Sequence, residues 1–238
     1  MSFFTEDYLH FFIELAGNNH KTWFDENRKR YENSVKKPFY AFTQHLIDQL
    51  AKKDASFSDL QAKDCVFRIN RDIRFSKDKT PYKLMCSAVV APNGKKSKAV
   101  NGIYFELSPE HVRAYGGIYE IDKEDLEALR EGIAANMDEF RSIYSSKSFK
   151  STFGEILGER NKVLPAHLKE AAQEENLIFN KQWYFYAEFP AEQVLSEDLD
   201  QLMLACYEAG KPLEQFFNQF IQRSWNDWFF LSYSYSLP

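Results

Sequence analysis

The hydrophobic period of this chain changes near residue 65, from the period of a helix to that of a strand. Before that point apolar residues recur every three or four positions, which predicts three helices starting near Thr5, Asn19 and Pro38. After it, alternate positions are apolar, with Arg71 the exception: Cys65, Phe67, Ile69, Ile73 and Phe75. Alternation of this kind is typical of a half-buried strand, so we predict a strand over residues 65–76.

Further along the chain, short apolar runs separated by turn residues predict four more strands, over Leu84–Ala91, Val100–Leu107, Val112–Tyr115 and Gln182–Phe189. Three further helices are predicted: one capped by Asp122 or Asp125, then Asp198–Glu208 and Leu213–Trp225, the last two separated by Gly210 and Pro212. Strands close in sequence favour antiparallel pairing. We therefore predict one α+β domain over residues 1–238, with an antiparallel or mixed sheet packed by N-terminal and C-terminal helices.

Composition argues against several classes of protein. The 3 cysteines and 5 histidines show no metal-clip or redox spacing, so we expect buried thiols, no metal and no cofactor. The start of the chain has no basic leader before an apolar run, and no window reaches 18 uninterrupted apolar residues. These features predict a soluble, cytoplasmic protein without a membrane partner.

Charge is unevenly distributed along the chain, although the formal net charge is only −5. Residues 67–83, which we call the basic segment, hold six bases against two acids. Residues 170–215, which we call the acidic region, hold ten acids against Lys181 and Lys211. Such segregation indicates either an anion-binding face or internal pairing of the two regions.

The basic segment is the strongest candidate for a functional site, because unpaired cations are costly to bury and a loop dense in polar groups has little use in packing. Guanidinium groups bind phosphates and carboxylates with two parallel hydrogen bonds. The predicted ligand-binding residues are Arg68, Asn70, Arg71, Asp72, Arg74, Ser76, Lys77, Asp78, Lys79, Tyr82 and Lys83. They predict a pocket for a phosphorylated or carboxylated small molecule.

Within this predicted pocket, Arg68, Arg71 and Arg74 would clamp the anion while Asp72 holds the arginines in position and Tyr82 stacks on the ligand. Acids beside cations have a depressed pKa, which suits Asp72 and Asp78 to anchoring rather than to acting as a base. A possible second wall consists of Asn19, Lys21, Trp23, Arg28, Gly116 and Gly117. The alternative favoured for that wall is structural: Asn18 or Asn19 caps a helix and the aromatic residues fill the core.

Two other functions remain open. A basic stripe over residues 67–98, with Tyr82 or Phe75 stacking on bases, would bind nucleic acid, although the net negative charge does not favour it. A structural or interaction module would instead pair the cations with the acidic region and pack the aromatic segment Trp225–Tyr235 on a partner. The sequence contains no nucleophile–base pattern and no nucleotide-binding loop that would indicate an enzyme. The absence of these motifs does not exclude an enzyme.

The basic segment, together with residues 18–31 and Gly116-Gly117, resembles the family catalogued as domain of unknown function 2461. The shared positions are Asn18, Asn19, Trp23, Phe24, Arg28, Tyr31, Arg68, Arg71, Asp72, Arg74, Phe75, Ser76, Asp78, Lys79, Pro81, Tyr82, Lys83, Gly116 and Gly117. The resemblance extends from Phe4 to about Phe220. It implies a single-domain, mainly bacterial protein and implies no activity.

Overall fold

The N-terminal third of the chain is helical, as its apolar spacing predicts. In a computed structural model that describes residues 2–96 and 102–221, this third consists of α1 (Glu6–Gly17), α2 (Lys21–Glu26), α3 (Arg28–Arg30), a π-helix (Tyr31–Lys36), α4 (Lys37–Ala51), a 3₁₀ turn (Ala55–Phe57) and α5 (Ala62–Cys65). Pro38 lies in the first turn of α4, which continues directly from the π-helix.

Four strands form one antiparallel sheet in the order β1-β2-β3-β4. The strands are β1 (Cys86–Val90), β2 (Ile103–Leu107), β3 (His111–Ile118) and β4 (Trp183–Pro190). Core residues alternate along each strand with residues of the opposite face, as Ala88 and Phe105 alternate with Ser87 and Glu106. The predicted α+β class and the antiparallel sheet are confirmed.

Helices follow the third strand and complete two packed cores. They are α6 (Lys123–Ala135), α7 (Met137–Tyr144), α8 (Lys147–Phe153), α9 (Ala171–Glu174) and α10 (Leu199–Asn218), with 3₁₀ turns at Ala166–Leu168, Asn176–Phe179 and Ala191–Leu195. A further 3₁₀ turn, Gly94–Lys96, lies between β1 and β2. Helices α1 and α4 pack against β1 and β2 in the first core, and α6–α8 pack against β4 in the second. Asp122 caps α6 as predicted, through a 2.9 Å bond from the Asp125 amide.

Two predicted elements are wrong. Residues 65–76 do not form a strand: beyond α5 this stretch makes only the isolated bridges Val66–Ala88 and Asn70–Tyr82. The helices predicted on either side of Gly210 and Pro212 are one helix, α10. Buried residues before and after the proline pack into the sheet and hold the helix together across it, which is tertiary packing overriding local propensity.

Three expectations concern residues at or beyond the edges of the described ranges. Lys98, the start of the strand predicted from Val100, and the segment Trp225–Tyr235 lie outside the described residues. Within them, no helix has the length and apolar character needed to cross a membrane. All three cysteines are buried free thiols, as expected, and burial raises the pKa of each to about 12.

Candidate functional site

The basic segment folds back on itself instead of running as a strand. The Arg71 amide donates to the Pro81 carbonyl over 2.9 Å, and the Lys83 amide donates to the Ile69 carbonyl over 2.8 Å. These bonds close a loop whose tip, residues 72–80, is half-buried or exposed. The predicted ligand-binding residues are therefore divided between this tip and the base of the loop.

Two of the three arginines of the basic segment are neutralised by acids at the tip of the loop. Arg74 pairs with Asp72 (Nη2 to Oδ2, 2.6 Å), and Arg71 pairs with Asp78 (Nη1 to Oδ2, 2.5 Å). Arg74 lowers the pKa of Asp72 to about 2, and the Thr80 amide together with Arg71 lowers the pKa of Asp78 to about 2. Both acids are therefore ionised anchors at neutral pH, as predicted.

The remaining tip residues bond within the loop or face solvent. The Lys79 amine donates to the Ile73 carbonyl over 2.9 Å. Lys77 is exposed and Ser76 is half-buried. The Phe75 ring is 95% exposed, with the Arg74 guanidinium carbon 5.9 Å from its centroid. No ion pair joins residues 67–83 to the acidic region within the described parts of both.

Tyr82 is part of the core, so its predicted role of stacking on a ligand is wrong. Its ring is 6% exposed and stacks on Phe24, with centroids 4.1 Å apart and an interplanar angle of 17°. The Asn19 side chain holds the Tyr82 backbone, donating to its carbonyl (2.9 Å) and accepting from its amide (3.1 Å). The cap of α2 is His20, so the predicted capping by Asn18 or Asn19 is wrong as well.

A cavity of about 230 Å³ lies at the base of the loop, against the helical N-terminal region. It is lined by Phe24, Arg28, Tyr31, Glu32, Lys36, Phe39, Tyr40, Val66, Phe67, Arg68, Ile69, Asn70, Met85 and Cys86. Aromatic and aliphatic side chains make up most of this lining, and three cations and one acid supply its charge. Arg68, Asn70 and Arg28 are the predicted site residues that the structure brings together here.

Arg68 differs from the other two cations of the cavity. Arg28 is paired with Asp25 over 2.5 Å, and Lys36 is paired with Glu32 over 3.0 Å. The exposed Arg68 guanidinium makes no hydrogen bond or ion pair with any residue in the described part of the chain. It is therefore a cation at the cavity with its hydrogen-bonding fork unoccupied by protein acceptors.

One wall of the cavity is π-helical. Tyr31, Glu32 and Lys36 belong to the π-helix, where the wider turn shifts side chains relative to an α-helix. Such segments are rare and occur frequently at functional sites. The Tyr31 ring packs against Phe24 with centroids 5.0 Å apart, and burial raises its pKa above the ordinary value. Tyr31 is thus a neutral, half-buried phenol beside the cations.

Most of the predicted second wall is located elsewhere. Lys21 is exposed and pairs with Asp25 over 2.6 Å, and Trp23 packs on Phe11 with centroids 5.5 Å apart. Gly116 and Gly117 lie in β3 against Phe185 and Glu214. None of these four residues lines the cavity.

Sequence reasoning missed the π-helical wall because it assigned the aromatic residues of this region to packing. A signal was present: Arg28, Glu32 and Lys36 recur every four residues, which places charges on one face of a helix beside an aromatic stripe. Elsewhere in the described chain, one group has the spacing of metal ligands: Glu127, Glu131 and His167. All three are exposed, and none lines the cavity.

Comparison with known proteins identifies a family but no reaction and no ligand. The model of a family described as conserved hypothetical protein, DUF2461, matches residues 7–216. No curated protein matches the chain. The match includes the basic segment, the π-helix and all four strands.

Proposed function

This chain belongs to the DUF2461 family, and we propose that it binds a small phosphorylated or carboxylated molecule in the cavity beside Arg68. The observation that carries the proposal is an unpaired guanidinium at the edge of a cavity whose other cations already have protein partners. An arginine fork offers two parallel N–H donors that match the spacing of carboxylate and phosphate oxygens.

The charge of the lining supports an anionic ligand. Arg28, Lys36 and Arg68 oppose Glu32 alone, so the lining carries an excess of two positive charges. An anion entering beside Arg68 meets this excess of positive charge, which solvent partly screens because Arg68 is exposed. Charge-assisted hydrogen bonds of this kind contribute about 1.5–3 kcal/mol each.

The size and walls of the cavity support a small ligand with an apolar portion. Drug-sized sites are roughly 300–1,000 Å³, so 230 Å³ fits a metabolite of fewer atoms. Phe24, Phe39 and Tyr40 offer ring surface to the body of such a ligand. Of the three arginines that the sequence predicts as an anion clamp, only Arg68 lines the cavity. Arg28 and Lys36 add positive electrostatic potential to it.

Substitution of Arg68 tests this function. We expect Arg68→Met to abolish the thermal stabilisation that the parent shows with its best anion from a panel of phosphorylated and carboxylated metabolites. A ligand at 100 times its Kd stabilises the folded state by about 2.7 kcal/mol, which raises the Tm measurably. Arg74→Met is the matched control, because Arg74 is paired within the loop. An equal ligand response in Arg68→Met and the parent would contradict the proposal.

Nucleic-acid binding is a second candidate, favoured by the exposure of Phe75. An aromatic ring that is 95% exposed beside a guanidinium is suited to stacking on an unpaired base, which contributes roughly 1–3 kcal/mol per base. We expect Phe75→Ala to weaken single-strand binding about tenfold or more in a filter assay at two salt concentrations. Ile13→Ala, which removes a 57% exposed side chain from α1, is the control. Equal retention of oligonucleotide by Phe75→Ala and the parent would remove this candidate.

A further inference from the structure

The face of the sheet opposite the α4 and α10 packing carries a row of polar residues. Ser87, Glu106 and Arg113 are neighbours across β1, β2 and β3 in the strand register. Glu106 is only 8% exposed, and it accepts a 2.6 Å hydrogen bond from the Tyr104 hydroxyl. A nearly buried carboxylate therefore sits on the sheet face rather than on an exposed rim.

The basic segment meets this face through Phe67 and Lys83. The Phe67 ring packs edge-on against Tyr104 with centroids 6.0 Å apart, and the Lys83 amine lies 5.5 Å from the centroid of the Phe67 ring. These contacts connect Lys83, through two rings, to the Tyr104–Glu106 pair. Lys83 itself does not line the cavity beside Arg68, although the Phe67 ring next to it does.

The Lys83 amine is half-buried and has no hydrogen-bond acceptor among the residues that the structure describes. Glu106 acts on it electrostatically without forming an ion pair, and Arg68 repels its charge. Burial lowers the pKa of Lys83, and the Arg68 charge adds to this effect. A desolvated lysine beside another cation is the usual arrangement of an amine that reacts as a nucleophile.

We propose that Lys83 is the nucleophile of a second site and forms an imine with the carbonyl group of a small aldehyde or oxo acid. In this site Glu106 would transfer a proton from the amine nitrogen to the departing oxygen. The geometry that supports this is a half-buried amine without an acceptor, joined by ring contacts to a carboxylate that a tyrosine hydroxyl holds in place.

The step balances without an oxidant or a cofactor. The neutral Lys83 amine adds to the carbonyl carbon, forming the C–N bond, and the carbonyl oxygen takes up a proton. The carbinolamine then loses its oxygen as water, which contains both hydrogens of the original amine. Glu106 accepts a proton from nitrogen and returns it to the departing oxygen, and the Tyr104 hydrogen bond keeps the carboxylate oriented.

Reductive trapping tests the site. The full chain is incubated at pH 7 with cyanoborohydride and either glycolaldehyde or pyruvate, and peptide mass mapping follows the modification of each lysine. We expect Lys83 to be modified several-fold faster than Lys150, because the lowered pKa leaves more of the Lys83 amine uncharged at pH 7. Lys150 is the matched lysine: its amine lies 5.8 Å from the Tyr144 ring, but it is exposed. The reagent that gives the larger ratio of the Lys83 rate to the Lys150 rate shows whether the site takes an aldehyde or an oxo acid.

Two variants complete the test. Lys83→Arg keeps the charge over the Phe67 ring and is expected to lose the fast modification. Glu106→Gln is expected to slow trapping at Lys83 while leaving the rate at Lys150 unchanged. Equal rates at Lys83 and Lys150 in the parent would overturn the proposal, and an unchanged Lys83 rate in Glu106→Gln would overturn the role of the carboxylate.

Discussion

Replacing Gly117 by alanine is expected to destabilise the folded chain by about 4 kcal/mol, the combined size of backbone strain and steric overlap. Gly117 has φ +85°, a conformation that residues with a Cβ rarely adopt. An added Cβ would lie 2.2 Å from the Trp183 carbonyl oxygen of the neighbouring strand. Because that oxygen belongs to the β3–β4 ladder, it cannot move without breaking strand pairing. Urea denaturation measures the loss.

Gly154→Ala separates the two contributions to this loss. Gly154 has φ +76°, but nothing lies within 4 Å of a Cβ built there. Its substitution should therefore cost only the strain of the backbone, roughly 1–2 kcal/mol. Similar losses in the two variants would mean that the close approach of β4 to Gly117 is not as the structure has it. The Gly116-Gly117 pair, expected from the sequence as a second wall of the site, is on this view a requirement of sheet packing.

The stability of the chain is expected to fall by about 3 kcal/mol between pH 5 and pH 8 through Glu214 alone. Glu214 is 3% exposed, and burial raises its pKa from the ordinary 4.5 to about 7. Its two oxygens accept from the amides of Gly102 (3.0 Å) and Gly117 (3.1 Å). Between these pKa values the folded state holds a proton that the unfolded state has released. Stability therefore decreases as pH rises through this window, and the full cost is present above pH 7.

Comparison with Glu214→Gln isolates this effect. The free energy of unfolding is measured in urea for the parent and the variant from pH 5 to pH 8, and the parent-minus-variant difference should fall across that range. The same difference for Glu155→Gln, which changes an exposed glutamate, should stay level. A level difference for Glu214→Gln would show that the carboxylate is not desolvated in solution.

Glu214 links α10 to β3 and to the residues just before β2 through hydrogen bonds. A carboxylate of α10 satisfies two amides at the same end of the β2–β3 pair, one just before β2 and one near the end of β3. Leaving such amides without an acceptor would cost roughly 1–3 kcal/mol each. The raised pKa is thus a consequence of a structural tether, and it does not by itself mark a catalytic acid.

Several features of the site were predictable because they depend on residues close in sequence. Asp72 and Asp78 lie within a few positions of Arg71 and Arg74, so the sequence already predicted their depressed pKa. The density of cations in the basic segment likewise pointed to Arg68. The cavity itself was not predictable, because its other wall comes from the π-helix, which is more than thirty residues away along the chain.

By itself the sequence determined the helical N-terminal third, the four strands of the sheet and the chemistry of the basic segment, because apolar spacing and local charge act through neighbours along the backbone. Tertiary structure decided where the unpaired cation lies. Arg71 and Arg74 pair with acids a few positions away along the chain, whereas Arg68 lies beside a cavity whose other wall is the distant π-helix. It also decided that Tyr82 is core and that Lys83 lies within electrostatic range of a carboxylate of β2, since burial depends on which distant segments pack together.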